Sequence, residues 1–302
     1  MRLRILGSLS IDDETPFGLS ATRREGRILC ALLLSANRPV PTGKLIEMLW
    51  NERPPATARQ QLQNCAAALN RSLRHRLDST GVDRTQAGYV IRVPCEDLDA
   101  SLFDHTVRTA RRLVAERRVE EAVDAFRLGL RLWRGDVLEG VDLGPFHPLA
   151  VRLSELRLAV IEECAAIELR LGRHRAVIAE LTSAVQANPY REELVGLLME
   201  ALAACGQVTA ALDLFRFTRE RLVADYGLEP GPLLQTRHSR ILRGDRETVH
   251  RPEAGLADRT ELLTAALAQL DHVRAQLFIA LHGIPRSPSG QRSTTEPGRT
   301  VA

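Results

Sequence analysis

The segment that decides the fold is TARQQLQNCAAALNRSLRHRL, residues 57–77. Its apolar residues recur at intervals of three and four, so a helix gathers them within about 120° of its circumference. They are Leu62, Cys65, Ala66, Leu69, Leu73 and Leu77. The opposite side carries amides and arginines but no carboxylate. We predict an amphipathic helix from Thr57 to Leu77, whose opening Thr57-x-x-Gln60 has the pattern of a capping box.

Shorter elements flank this helix. Residues 2–11 alternate around Gly7, and with Phe17-Gly18-Leu19 they predict a short antiparallel sheet. Helical spacing predicts a helix over residues 22–35 and a second over residues 42–50, with Thr42 as its N-cap. The inner side of the second helix is expected to carry Leu45, Ile46, Leu49 and Trp50. Residues 82–93 predict a β-hairpin that turns at Gly88.

This order of elements is typical of a winged helix-turn-helix. A major groove about 12 Å wide accepts one helix, whose amides match purine edges while arginines hold phosphates. Residues 1–95 carry 14 basic and 8 acidic side chains, whereas residues 96–242 carry 19 and 23. A solvated helix face alone would explain the polar surface, but the positive charge and the adjoining hairpin favour DNA binding.

Beyond residue 95 the chain is predicted to be almost entirely helical. The expected helices cover residues 100–115, 119–133, 148–171, 173–187, 191–204 and 208–225. Gly172-Arg173, with Val177 and Leu181 after it, recurs 34 residues later as Gly206-Gln207, with Ala211 and Phe215. A weaker copy begins at Arg117-Arg118 and requires an inserted loop. The period is that of tetratricopeptide helix pairs, which leave a groove for partners, and a plain packed bundle is the alternative.

The last sixty residues predict less structure. After a polar joint over residues 243–255, Leu256, Leu263, Leu270 and Leu277 recur every seven residues, and a disordered tail is expected from Pro285. The heptads could pair two chains, but a helix of this kind more often packs on its own domain. The expected domains are a winged helix over residues 1–95, a helical repeat domain over 96–242, and a linker, helix and tail over 243–302. The fold class is mainly α with small β elements.

Several classes of protein are excluded by missing patterns. The five cysteines lie at least 30 positions apart, and we expect neither a metal site nor a disulfide scaffold. The sequence lacks H-E-x-x-H, G-x-S-x-G, G-x-G-x-x-G and a Walker loop, so we expect no catalytic residues, no cofactor and no enzyme. No apolar run approaches the roughly 18 residues that span a bilayer, and no signal peptide is evident, so we expect a cytoplasmic protein without a membrane partner.

Ordered motifs identify a family. Leu45-Ile-Glu-Met-Leu-Trp50, Pro54-Pro-Ala-Thr-Ala58, Leu132-Trp-Arg-Gly135 and Leu228-Glu-Pro-Gly231 resemble those of the Streptomyces antibiotic regulatory protein family, over residues 1–242. The resemblance implies an OmpR-type winged helix followed by a bacterial transcriptional activation domain. It further implies a homodimer on double-stranded promoter DNA, at direct repeats beside antibiotic biosynthesis genes, and recruitment of RNA polymerase holoenzyme.

The resemblance also implies site residues. Residues 57–77 become the recognition helix and the hairpin becomes the wing. The expected DNA contacts are Arg59, Gln60, Gln63, Asn64, Ala67, Asn70, Arg71 and Arg74 on the helix, with Arg84, Thr85 and Gln86 on the wing. The expected polymerase contacts are Trp50, Asn51, Glu52 and Arg53.

The recognition helix departs from the family pattern. Relatives commonly show Tyr-Val-Ser-Arg-Leu-Arg in mid-helix, where this chain has Cys65-Ala-Ala-Ala-Leu-Asn70, so two arginines are absent. The sequence is therefore compatible with two functions. One is a sequence-specific transcriptional activator, and the other is a helical-repeat adaptor or ligand sensor with weak DNA binding.

Overall fold

The computed structural model describes residues 3–11, 23–51, 53–77 and 80–244. Its N-terminal part contains β1 (Leu3–Arg4), β2 (Ser10–Ile11), α1 (Arg24–Leu34), α2 (Thr42–Trp50), α3 (Ala58–Arg76), β3 (Gly81–Thr85) and β4 (Gly88–Arg92). Its C-terminal part contains α4 (Asp99–Ala115), α5 (Val119–Leu130), α6 (His147–Arg170), α7 (His174–Ala187), α8 (Glu192–Ala204), α9 (Val208–Tyr226) and α10 (Pro232–Arg243). The predicted fold class, mainly α with small β elements, is confirmed. No helix in these ranges combines the length and apolar character that a bilayer span requires.

The strands form two small antiparallel pairs. Leu3 pairs with Ile11 across β1 and β2, and Gly81 pairs with Arg92 across β3 and β4. A bridge from Val40 to Tyr89 joins the β3–β4 hairpin to the loop that precedes α2. The hairpin is therefore attached, close to its turn, to the loop between α1 and α2. The predicted strand partner Phe17-Gly18-Leu19 lies outside the described residues.

Gly88 has a different role from the one predicted. The hairpin turns at Gln86 and Ala87, and Gly88 is the first residue of β4, with φ +137°. A side chain there would place its Cβ 1.9 Å from the carbonyl oxygen of Val40. Glycine is needed at this position because β4 passes so close to the loop between α1 and α2.

Neither Thr42 nor Thr57 caps its helix with a side-chain hydrogen bond, although Thr57 does occupy the N-cap position. Pro41, not Thr42, is the N-cap of α2, and Thr42 is its first helical residue. Thr57 is the N-cap of α3, but its hydroxyl accepts a hydrogen bond from the Gln61 amide at 2.9 Å instead of capping the backbone. On the inner side of α2, only Leu45 and Met48 are fully buried.

The C-terminal part contains helix pairs, as α4 packs on α5, α6 on α7, and α8 on α9. Each pair turns at a residue of positive φ: Arg117, Gly172 and Gly206. In each turn, the amide that follows this residue bonds the carbonyl oxygen five residues earlier, as Arg173 bonds Glu168. The weaker copy at Arg117 therefore has the same turn geometry, with arginine in the position where the other copies have glycine.

The two parts share one hydrophobic core, which includes Leu3, Leu29 and Leu69 together with Phe103 and Phe126. Asp99, fully buried at the start of α4, accepts hydrogen bonds from the amides of Ile5 and Leu6 at 2.8–2.9 Å. Burial raises the pKa of the Asp99 carboxyl, and these backbone donors oppose that rise. The boundary near residue 95 therefore crosses continuous packing.

The loop between α5 and α6 completes this junction. The amides of Arg134 and Leu138 donate to the carbonyl oxygens of Leu6 and Ile5, at 2.8 and 3.0 Å. Trp133 packs edge-on against Phe103, with 5.3 Å between the ring centroids. The predicted helix over residues 119–133 ends at Leu130, which frees these residues to hold the N-terminal strands.

The sequence prediction contained no α10. This helix packs on α8, where Arg237 pairs with Glu193 at 2.8 Å and with Glu200 at 3.0 Å. A Cβ at Gly196 would lie 2.2 Å from a guanidinium nitrogen of Arg237, so the glycine makes room for the arginine. The predicted joint after Gly244, the heptads from Leu256 to Leu277 and the tail from Pro285 lie outside the described residues.

Candidate nucleic-acid interface

The inner side of α3 is packed as its sequence predicts. Leu62, Ala66, Leu69, Leu73 and Leu77 are buried, and Cys65 is half-buried. This side contacts α1, α2 and β3. The packing fixes the rotation of the helix about its axis, so the polar residues face away from the core.

The outward side of α3 brings most of the predicted DNA contacts together. Its exposed residues are Arg59, Gln60, Asn64, Ala67, Arg71 and Arg74, while Gln63 and Asn70 are half-buried. The Gln60 amide donates to Asn64 Oδ1 at 3.2 Å, one helical turn away. The helix thus presents a row of amides flanked by arginines.

The arginines on this row have no ionic partner in the described part of the chain. No described carboxylate lies within 4.0 Å of Arg59, Arg71 or Arg74. Each guanidinium therefore keeps its donors available for phosphate oxygens or for guanine edges.

Asn70 makes a contact that the sequence did not predict. Its side-chain oxygen accepts a hydrogen bond from the backbone amide of Val82, the second residue of β3, at 3.0 Å. The helix and the hairpin are thus joined by a side chain. The predicted role of Asn70 at a base edge stays a prediction.

The tip of the hairpin carries the predicted wing contacts. Arg84 and Gln86 are exposed and Thr85 is half-buried, with its hydroxyl donating to the carbonyl oxygen of Gly88 at 3.2 Å. Further from the tip, Arg92 pairs with Asp83 at 3.3 Å. The hairpin is therefore held near its turn by the Val40–Tyr89 bridge and near its open end by Asn70.

The end of α2 and the residues that follow it include the predicted polymerase contacts. Trp50 is half-buried beneath the guanidinium of Arg24, 5.1 Å from its ring centroid. Asn51 and Arg53 are exposed, and Glu52 lies outside the described residues. Asn51 ends α2 with φ +51° and ψ −134°, a combination outside the left-handed helical region.

The helical part borders this segment. Arg27 of α1 donates to the carbonyl oxygen of Met48 at 2.5 Å and pairs with Asp142 at 3.0 Å. An open cleft of about 430 Å³ is lined by Glu47, Asn51, Gly144 and Pro145. The end of α2 and the α5–α6 loop therefore form one surface.

Comparison with known proteins then gives the family. Residues 98–242 match the family described as Bacterial transcriptional activator domain. The chain is 32% identical over 253 residues to the regulatory protein DnrI of Streptomyces peucetius, covering 81% of this chain and 93% of DnrI. The chain belongs to the Streptomyces antibiotic regulatory protein family of transcriptional activators. The predicted family resemblance is confirmed.

Two further relatives support the assignment of this chain to the family. The transcriptional regulator RedD of Streptomyces coelicolor is 30% identical over 252 residues, covering 81% of this chain and 71% of RedD. A solved structure of Mycobacterium tuberculosis EmbR, in complex with a low affinity phosphopeptide, superposes with a TM-score of 0.74. It is 29% identical and covers 89% of this chain and 70% of that one.

Proposed function

We propose that this regulator binds promoter DNA through α3 and the β3–β4 hairpin and that it activates transcription by contacting RNA polymerase holoenzyme. The observation that carries the proposal is the outward side of α3. It places Arg59, Arg71 and Arg74 around a row of amides, without a described carboxylate to neutralise them. Promoter DNA also implies that the protein works in the cytoplasm.

In the proposed complex, α3 enters the major groove. Gln60, Gln63 and Asn64 read base edges, because a side-chain amide pairs with adenine through two hydrogen bonds. The three arginines hold phosphates or guanines, and Arg84, Thr85 and Gln86 touch the neighbouring phosphates or minor groove. Phosphate contacts set the position of the helix, and the amides set the sequence.

Activation is proposed to use the segment from Trp50 to Arg53. Two observations support a role for it in protein contact. Asn51 and Arg53 are exposed, and the α5–α6 loop extends this surface through Gly144 and Pro145, which line a cleft together with Asn51. The expected targets are direct repeats near secondary-metabolite genes, occupied by two copies of the chain.

Footprinting of the full chain on promoters beside its gene tests the proposal. Tandem half-sites about 10 to 11 base pairs apart are expected, on one side of the duplex. Arg71→Ala and Arg74→Ala should each lower the salt slope of binding by about one. Arg216→Ala is the matched control, because this exposed arginine of α9 is already paired with Asp213. Single or randomly spaced sites would contradict the proposal, as would variants that leave salt dependence unchanged.

One observation favours the adaptor function as a second candidate. Exposed side chains of α9 form an aromatic cluster with Tyr190 of the α7–α8 loop. Arg221 lies over the rings of Tyr190 and Phe217, and Tyr226 packs edge-on against Tyr190. Exposed aromatic and arginine side chains are enriched at protein interfaces. The adaptor function predicts that the full chain gives no footprint and that Phe217→Ser abolishes binding to a partner protein. A persistent footprint would favour the activator instead.

A further inference from the structure

We infer that Asn70 is a positioning residue that holds the wing at a fixed distance from the recognition helix, and that it does not read a base. This inference rests on the proposed function and assigns one of its residues to a new role. The starting observation is the 3.0 Å hydrogen bond from the Val82 amide to the side-chain oxygen of Asn70.

The bond satisfies a backbone donor that the hairpin itself does not use. In the β3–β4 pair, Val82 lies opposite Ile91, which is fully buried, and Val82 is almost fully buried. A buried amide that lacks an acceptor is destabilising, so the edge of β3 that faces α3 requires one. Asn70 supplies that acceptor from the recognition helix. An arginine at the same position would carry only donors and could not do so.

The neighbouring glycine shows how closely helix and strand approach. A Cβ at Gly81 would lie 3.3 Å from the side-chain oxygen of Asn70 and 3.7 Å from Nε of Arg74. The first residue of β3 therefore lies directly against two side chains of α3. With a side chain absent at Gly81 and an acceptor present at Asn70, the separation between α3 and the wing is set at this point.

The contact also determines which side-chain atoms of Asn70 are available to bond DNA. Reading adenine with two hydrogen bonds requires both the oxygen and the nitrogen of an amide. The oxygen of Asn70 already accepts from Val82, and its side chain is half-buried. Asn64 differs, because it is exposed and, within the described residues, its oxygen accepts only from the exposed side chain of Gln60, which can rotate away, whereas the Val82 amide is fixed in a strand. Asn64 is therefore the matched control for a true base reader.

The first measurement needs no DNA. Hydrogen exchange of the full chain, followed at the Val82 amide, compares the parent with Asn70→Ala and Asn70→Asp. The alanine variant should exchange at least about tenfold faster, because a lost hydrogen bond of ordinary strength has an effect of that size. The aspartate variant keeps an acceptor and should stay within about threefold of the parent. Equal exchange in all three proteins overturns the inference, and global unfolding of the alanine variant leaves the aspartate comparison to decide.

The second measurement uses the tightest duplex that the full chain selects from a randomised library, together with its single-base variants. Asn70→Ala should weaken binding to every duplex by a similar factor, whereas Asn64→Ala should change the preferred base at one position. Arg84→Ala should cost about fivefold in the parent and about two- to threefold in the Asn70→Ala background, because the end of the hairpin near Val82 is released while the Val40–Tyr89 bridge still holds the end near its turn.

The outcomes separate the two proposals. If Asn70→Ala changes the preferred base and the Arg84 effect persists, Asn70 is a base reader and the inference is wrong. If the parent selects no duplex at all, the proposed function fails, while exchange at Val82 still reports whether Asn70 holds the wing.

Discussion

The arginines of α3 and those of the helical repeats have opposite surroundings. Arg71 and Arg74 project from α3 without a described acidic partner. In the repeats, arginines join one helix to another, as Arg111 of α4 pairs with Glu163 of α6 at 2.6 Å and Arg191 pairs with Glu162 at 2.6 Å. An arginine whose charge is already neutralised by the protein has less to offer a polyanion. The difference indicates that α3 keeps its arginines for DNA and that the repeats use theirs for packing.

Removing the most buried arginine of the repeats should have the largest effect. Arg237→Ala is expected to lower the free energy of unfolding by about 3–5 kcal/mol, because it leaves Glu193 and Glu200 without their partner. Burial already raises the pKa of Glu200, and the charge of Arg237 opposes that rise. In the variant, the folded state binds a proton more readily, so the loss should grow as pH rises through the pKa of Glu200. Urea unfolding at several pH values measures it, with exposed Arg243→Ala as the control.

Breaking the junction should have the next largest effect. Asp99→Ala removes the acceptor of the Ile5, Leu6 and Ala100 amides, and at least about 2 kcal/mol of stability should be lost. Because these amides belong to both parts of the shared core, unfolding should remain a single transition at a lower midpoint. Exposed Asp104→Ala is the control. Two separate transitions in the variant would show that the parts are held together by Asp99 alone.

Giving an arginine of α3 an acidic partner, as the arginines of the repeats have, should stabilise the helix and weaken DNA binding. Ala67→Glu places a carboxylate one turn before Arg71, an arrangement that stabilises a helix by about 0.2–0.5 kcal/mol. The same charge should weaken DNA binding by at least about tenfold and reduce the salt slope by about one. Thermal unfolding and salt titration of binding measure the two opposite changes. Ala67→Gln is the control that separates the effect of charge from that of size. If the glutamate variant binds DNA normally, DNA binds to a surface other than this side of α3.

An exposed ion pair of the repeats should matter least. Arg108 pairs with Asp104 one turn earlier on α4, and both side chains are more than half exposed. Arg108→Ala should cost about 0.3–0.5 kcal/mol of stability and should leave DNA binding unchanged. An effect comparable with that of Arg237→Ala would remove the distinction between buried and exposed pairs.

The sequence predicts local periodicity well and long-range contacts poorly. The leucines of α3 and the repeated turns at Gly172 and Gly206 follow from spacing alone, and the structure agrees with them. In α10, Arg237 occupies the buried face between Leu234 and Ile241, and a charged residue in that position hides the helical pattern.

Much of the candidate site is also readable from sequence, but its internal contacts are not. The outward side of α3 follows from its inner side, so exposed Arg71 and Asn64 were predictable as a group. The bond from Asn70 to Val82 was not, because it depends on how a later strand crosses the helix. The contacts of Asp99 were equally unpredictable, since a carboxylate in the first turn of a helix ordinarily indicates only a favourable interaction with the helix dipole.

The junction constrains how this family can be recombined. Residues on both sides of position 95 contribute to one interior, and the α5–α6 loop supplies amides that complete the opening strands. Replacing the winged-helix domain of one homologue with that of another should therefore yield aggregates, unless the residues that bond to the backbone of Ile5 and Leu6 are transferred with it. Engineers who wish to retarget such an activator would do better to exchange individual side chains of α3 than whole modules.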